Sequence, residues 1–224
     1  MSILSNADLE EVICFDKNKW NKNKEILINN GEKKRINPMG YDLRVGKHYF
    51  YGTVDERSKP TNDGVRIKPG DLVLIRTLEE IRMPEDGSIS ALILSKVTQV
   101  CRGLSNVSTK IDAGYSGKLI ISIQNVSKRT IHLKYGEEFC TIIFITNKSV
   151  CSDLYDIANK EEKYINAYAE GQQQYVFIEL VITLLIALII IGLFVSCGYY
   201  IFGEEKPLIS ATIGLAVYNS LQEE

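Results

Sequence analysis

The chain has 224 residues, 45% hydrophobic and 24% charged, with a formal net charge of −2, which suits one domain of ordinary core plus a further segment. Its five cysteines are odd in number, widely spaced and without a C-x-x-C pair, which argues against a zinc site or a disulfide framework and fits a reducing compartment. The two histidines, His48 and His132, lie in no H-E-x-x-H or H-x-E pattern, so no metal site, metal hydrolase or zinc deaminase is expected.

Charge is unevenly distributed. Residues 1–150 carry 23 Lys+Arg against 18 Asp+Glu, whereas residues 151–224 carry 3 against 10, so the front of the chain favours an anionic ligand. Residues 3–13 predict a short helix capped by Ser5 or Asn6, with acidic residues in its first turn. Residues 17–34 are polar and lysine-rich. Lys19, Trp20 and Lys22 combine positive charge with one aromatic, a mixture that stacks bases and neutralises phosphates; the alternative is a solvated loop. Between residue 41 and residue 147 come short β-rich runs (HYFYGTV, DLVLIRT, ALILSKV, KLIISIQNV, RTIHL, FCTIIFIT) separated by turn signals such as KPGD and PEDG. This spacing predicts an all-β barrel or sandwich.

Residues 151–174 are polar and acidic and read as a linker or helical stalk. Residues 180–203 then form an uncharged apolar run, about 36 Å long as a helix, which is enough to cross a bilayer core. A second apolar stretch, residues 208–221, reaches only about 21 Å and is expected to be a tilted, re-entrant or interfacial helix. Lys148, Lys160 and Lys163 precede the long run and only Lys206 follows it closely, so the front domain is expected on the cytoplasmic side of the inner membrane. The expected domains are therefore 1–147 (ligand-binding), 148–174 (stalk), 175–203 (transmembrane helix) and 204–224 (short second helix).

The β-rich region resembles the dCTP deaminase/dUTPase family. INPMGYDLRVG at 36–46 resembles that family's Y-D-L-R-[LV]-G stretch, and KPGDLVLIRTLEEIRMPED at 68–86 is similar to its P-G-x-x-x-L-x-x-T-x-E-x-[IV]-x-[LM]-P-x-D. STKIDAGYSGKLIISIQN at 108–125 is similar to its I-D-P-G-[FWY]-x-G segment and following strand, and LKYGEEFCTIIF at 133–144 to its closing strand. The resemblance implies an all-β, dUTPase-like distorted barrel or jelly roll with an N-terminal helix, followed here by C-terminal transmembrane α-helices. It also implies a homotrimer with nucleotide pockets between subunits.

Counted from Ile111, the family's G-R-S-S falls on Ile93, Leu94, Ser95 and Lys96, so a leucine stands where the phosphate-gripping arginine is implied. The deaminase arginine falls on Gln99 and the catalytic glutamate on Ser122. A serine cannot by itself shuttle the protons that deamination requires near neutral pH, so no catalytic residues are assigned and deamination is not expected. Ser95, Lys96, Asp112 and Tyr115 remain as candidate ligand-binding residues, with Mg²⁺ as a companion of a phosphate ligand. Asp112 and Tyr115 keep the spacing of a dUTPase I-D-x-x-Y motif, which leaves a membrane-anchored nucleotide pyrophosphatase using Asp112 as one alternative and a non-catalytic membrane scaffold as another.

Three copies of the apolar run on one axis would place a ring of Glu179 above a ring of Thr183, four residues on, a cation-tolerant mouth. The combined architecture resembles anti-phage membrane effectors, including the Hailong type, in which a DNA oligomer holds the effector shut. The expectation is a ligand-gated pore that responds to a nucleotide or short oligonucleotide signal, made by a partner nucleotidyltransferase.

Overall fold

The computed structural model describes residues 2–51, 62–155 and 160–202. It separates into two units, Met1–Asn166 and Ala167–Glu224.

The first unit opens with strand β1 (Ser2–Ile3) and helix α1 (Asn6–Val12). Ser5 caps α1 in a reciprocal box: its hydroxyl accepts the Asp8 N–H at 3.4 Å, and the Asp8 carboxylate accepts the Ser5 N–H at 2.8 Å. The helix is shorter than residues 3–13 predict because both flanks are drawn into the sheet. Strand β1 pairs with a later strand, and β2 (Ile13–Cys14) pairs in parallel with β3 (Ile26–Asn29). β3 lies inside the lysine-rich segment, where Ile26, Leu27 and Ile28 are fully buried.

The remaining strands are β4 (Ile36–Asn37), β5 (Gly40–Phe50), β6 (Val65–Ile67), β7 (Leu72–Arg82), β8 (Ile89–Ser95), β9 (Leu104–Asn106), β10 (Lys110–Ile111), β11 (Ser116–Asn125), β12 (Ile131–Leu133) and β13 (Glu138–Thr146). A short helix, α2 (Val97–Arg102), joins β8 to β9. Among the described residues one continuous path of hydrogen-bonded strands runs β10-β8-β13-β5-β7-β11-β9, with β1, β3 and β4 added at β13, β7 and β5. β12 and β6 form a separate pair. The domain is thus mostly β, as expected. Period-two alternation sends one face of each long strand inward: Val73 and Ile75 from β7, Ala91 and Ile93 from β8, and Ile121 and Ile123 from β11 meet in a single apolar core.

One predicted strand ends early. ALILSKV reads as a strand to Val97, but β8 stops at Ser95 and the chain turns into α2, which closes on Gly103 at φ 97°. Residues 52–54 of the predicted HYFYGTV strand lie outside the described residues.

The two ladders flanking β7 are irregular. Val45 pairs with Thr77 and Tyr49 with Ile75, so residues 46–48 oppose Arg76 alone. On the other side Lys118 pairs with Glu80 and Ile120 with Arg76, so residues 77–79 oppose Leu119 alone. Gly46 is required at the first bulge, since a Cβ there would lie 2.4 Å from the Arg76 carbonyl oxygen. Gly46→Ala should destabilise the domain by about 1–3 kcal/mol, the range of an overpacked site, measured as a lower denaturant midpoint. The buried charge pair Arg44–Glu79 pins the second bulge. The Glu79 carboxylate accepts the Arg44 backbone N–H at 2.9 Å and its Nε–H at 2.6 Å. Thr77 closes the turn by donating to the Glu79 carbonyl (2.8 Å) and accepting from the Leu119 N–H (3.0 Å).

Helix α3 (Lys160–Phe202) is 43 residues long, so helix already begins within the predicted stalk and continues unbroken through the apolar run. Its segment Phe177–Cys197 has a mean hydropathy of 3.1 and is the one helix among the described residues long and apolar enough to cross a membrane. Leu184 and Leu188 are exposed on one line of the helix and Leu185 and Ile189 on the next, an all-round apolar surface unlike that of a water-facing helix. The hydroxyl of Ser196 donates back to the Gly192 carbonyl at 2.8 Å, so that polar group is satisfied within the helix. The predicted second helix, 204–224, lies outside the described residues.

Candidate functional site

Alternation along β11 buries Leu119, Ile121 and Ile123 and leaves Ser122 half-buried on the opposite face. Ser122 pairs with Leu74 of β7, and Leu74 with Phe50 of β5, so these three side chains form one row across the outer face. Arg76 lies two residues along β7, on the same face. Its guanidinium carbon stands 5.9 Å from the Phe50 ring centroid, a cation–π distance. His48 comes from the β5 bulge opposite Arg76. Partial burial pushes its imidazole below the ordinary value, and Arg76, Lys118 and Lys47 push it the same way. Burial also pushes the Arg76 guanidinium down. Bulges re-aim side chains, and here two of them gather cationic groups beside Ser122.

The region around α2 is built differently. Ser95 ends β8 and donates its hydroxyl to the Asn106 side-chain carbonyl on β9. Leu94, its neighbour, points outward, 37% exposed. Lys96 stands at the N-terminus of α2, and its ammonium is held by both Asp42 and Glu138. Burial opposes that charge, but the bonds to Asp42 and Glu138 prevail and raise the ammonium above its ordinary value. Asp42 also accepts from Thr141 at 2.7 Å and from Asn37 at 3.1 Å. Gln99 is 6% exposed; its amide donates to the Glu138 carbonyl at 2.7 Å and to the Glu137 carboxylate at 3.2 Å, and it accepts from Arg102 at 2.9 Å.

Lys96 is thereby the end of a longer chain of charge. Glu79 bonds Arg44, Arg44 bonds Glu32, Glu32 lies 3.5 Å from Arg35, Arg35 bonds Glu138, and Glu138 bonds Lys96. Ser95 and Lys96 are therefore adjacent in sequence but committed to different internal partners.

Asp112 opens a tight turn in which its carbonyl accepts the Tyr115 N–H at 3.2 Å, with Gly114 at φ 78°. Its carboxylate accepts from Lys110 at 2.7 Å. The Tyr115 hydroxyl donates to the Lys118 carbonyl at 2.9 Å, and its ring lies 5.5 Å from that of Tyr155. Trp20 is half-buried: its indole N–H donates to the Glu25 carbonyl at 2.7 Å, and the Arg82 guanidinium stands 5.8 Å from its ring centroid. Lys22 reaches Glu85 at 3.1 Å and Lys19 reaches Asp16 at 4.0 Å. These exposed pairs contribute little to stability. Glu179 is exposed and Thr183 half-buried on α3, four residues apart on one side of that helix. The described structure brings Asp112 and Tyr115 into one turn but does not gather the remaining candidates into one pocket.

Sequence reasoning passed over Arg76, His48 and Lys118. The available signal was an arginine inside the alternating apolar run DLVLIRT, where a cation is costly unless the position faces outward. Among the described residues no group of three His, Cys, Asp or Glu side chains is placed to hold a metal ion.

Comparison with known proteins agrees with the β architecture. The profile of the dCTP deaminase-like family matches residues 16–147. The dCTP deaminase of Pyrococcus horikoshii is 35% identical over 130 residues, which covers 56% of this chain and 79% of that protein. The dCTP deaminase of Thermococcus kodakarensis is 35% identical over 127 residues, again 56% of this chain and 79% of the relative. Among solved structures, the 2′-deoxycytidine 5′-triphosphate deaminase of Agrobacterium tumefaciens superposes with a TM-score of 0.49 at 18% identity, covering 65% of this chain and 48% of that one.

Proposed function

The chain belongs to the dCTP deaminase-like family, and from that premise we propose that it is a membrane-tethered receptor for a nucleotide or short oligonucleotide that binds its ligand without deaminating it. The observation that carries this reading is the pair Ser122 and Gln99. Ser122 stands where the resemblance puts the catalytic glutamate, on the outer face of β11, and offers only a hydroxyl. Gln99, at the arginine position, is buried and bonded to Glu137, Glu138 and Arg102, so it serves the internal network rather than a substrate.

In this proposal the β domain forms a homotrimer on the cytoplasmic face of the inner membrane. Three Phe177–Cys197 segments then share one axis, Glu179 and Thr183 line the mouth of a pore, and ligand occupancy sets whether it conducts. A nucleotidyltransferase partner would supply the signal, and the setting would be anti-phage defence. The pyrophosphatase reading gains little support, because the Asp112 carboxylate is paired with Lys110.

The test is ion flux through proteoliposomes containing the full chain, with and without deoxynucleotides or short oligodeoxynucleotides. Flux that changes with ligand, and falls severalfold in Glu179→Gln, supports the proposal. Permeability indistinguishable from empty liposomes under every condition contradicts the pore.

A further inference from the structure

We propose that the outer face of β5, β7 and β11 is a phosphate-binding site, in which Arg76, His48 and Lys118 surround the Ser122 hydroxyl. This ligand chemistry deepens the nucleotide site proposed above and rests on that reading for the nucleoside, not for the phosphate.

The backbone sets the arrangement. Three β5 residues oppose Arg76 alone, and on the other side of β7 three residues oppose Leu119 alone. A sheet without these bulges would place Arg76 in a plain ladder. Here the two irregularities bring His48 from β5 and the end of β11 toward the same spot.

The site is rigid. Arg44 and Glu79 lock one bulge from below through bonds of 2.6 and 2.9 Å, and Gly46 permits the other to close on the Arg76 carbonyl. Pre-set donors bind an anion without first being ordered.

The chemistry is consistent. A guanidinium offers a planar fork that matches two phosphate oxygens, an ammonium adds a point charge, and a hydroxyl adds a donor. Phe50 holds the guanidinium from one side. The cations crowd one another enough to disfavour a proton on His48, and an arriving anion relieves that repulsion. The nearest described carboxylate in register, Glu80 opposite Lys118, is already bonded to Arg82 at 2.6 and 2.8 Å and to Asn29 at 3.2 Å. The substitution of an acid by Ser122 therefore does more than remove catalysis: it leaves cations to set the field of the cleft.

The experiment is calorimetric titration of the full chain in detergent with three probes: inorganic tripolyphosphate, dCTP and a 5′-phosphorylated tetrathymidylate. Tripolyphosphate should bind, and Arg76→Gln and Lys118→Gln should each weaken it by about tenfold or more, as expected for a lost charged hydrogen bond. Lys33→Gln, an exposed cation paired with Glu10 elsewhere on the domain, should leave binding within about twofold. Lys118 is exposed, so its loss tests the site even where Arg76→Gln impairs folding.

Unchanged affinity in both Arg76→Gln and Lys118→Gln overturns the site, and if dCTP or the tetranucleotide still binds, the nucleotide reading survives. Arg76- and Lys118-dependent binding of tripolyphosphate, with no tighter binding of either nucleotide, upholds the site and removes the nucleotide reading. Comparing dCTP with the tetranucleotide identifies which one supplies the phosphate. No binding of any probe overturns both.

Discussion

Glu79→Ala should cost the β domain about 3–5 kcal/mol, far more than the loss of an exposed ion pair on its surface. Glu79 is 0% exposed, and burial pushes its carboxyl above the ordinary value while its bonds to Arg44 offset part of that rise. Truncation leaves the Arg44 guanidinium with a lost partner in a water-poor site. It also removes the acceptor for the Arg44 backbone N–H, which sits in the middle of β5. Glu79→Gln keeps the shape and one acceptor and should fall between wild type and the alanine variant. Trp20, the single tryptophan, lies in this domain and reports its unfolding by fluorescence in denaturant. An alanine variant within about 1 kcal/mol of wild type would show that Arg44 finds another partner, Glu32 being the nearest at hand.

The second large effect concerns the membrane. Two arginines placed near the middle of the apolar segment, Ile186→Arg with Ile189→Arg, should each oppose insertion by about 2.5–3.5 kcal/mol. Phe177–Cys197 as it stands contains one ionisable carboxylate, Glu179, and that lies at its first turn. The wild-type chain should therefore stay with membranes through an alkaline carbonate wash, and the double variant should be released or degraded. A wild-type chain recovered in the aqueous fraction without detergent would mean that the segment does not span a bilayer.

The readable parts of the sequence were those set by local rules. Ser5 with Asp8 three residues later announced the cap of α1, and the alternation in DLVLIRT and KLIISIQNV announced β7 and β11. Where long-range packing decides, the local signal misled. Val97, Thr98 and Val100 favour a strand, yet they form α2, ended by the left-handed Gly103. The run Ile26–Asn29 is too short to stand out among lysines, but pairing with β7 makes it core.

The site was less legible than the fold for the same reason. Lys96 reads as a cation near a phosphate, but its partners Asp42 and Glu138 come from strands 54 and 42 residues away. Trp20 reads as a stacking platform, but Glu25 and Arg82 occupy its N–H and its face. The cluster around Ser122 emerges only once two bulges are known, and no periodicity in the sequence announces a bulge.

The most direct test is to incubate the purified full chain with radiolabelled dCTP and follow bound label and reaction products together. The prediction is saturable retention of label, recovered as unchanged dCTP. Stoichiometric or catalytic appearance of dUTP or dUMP would contradict it, because Ser122 would then be serving where a proton-carrying acid was held to be indispensable.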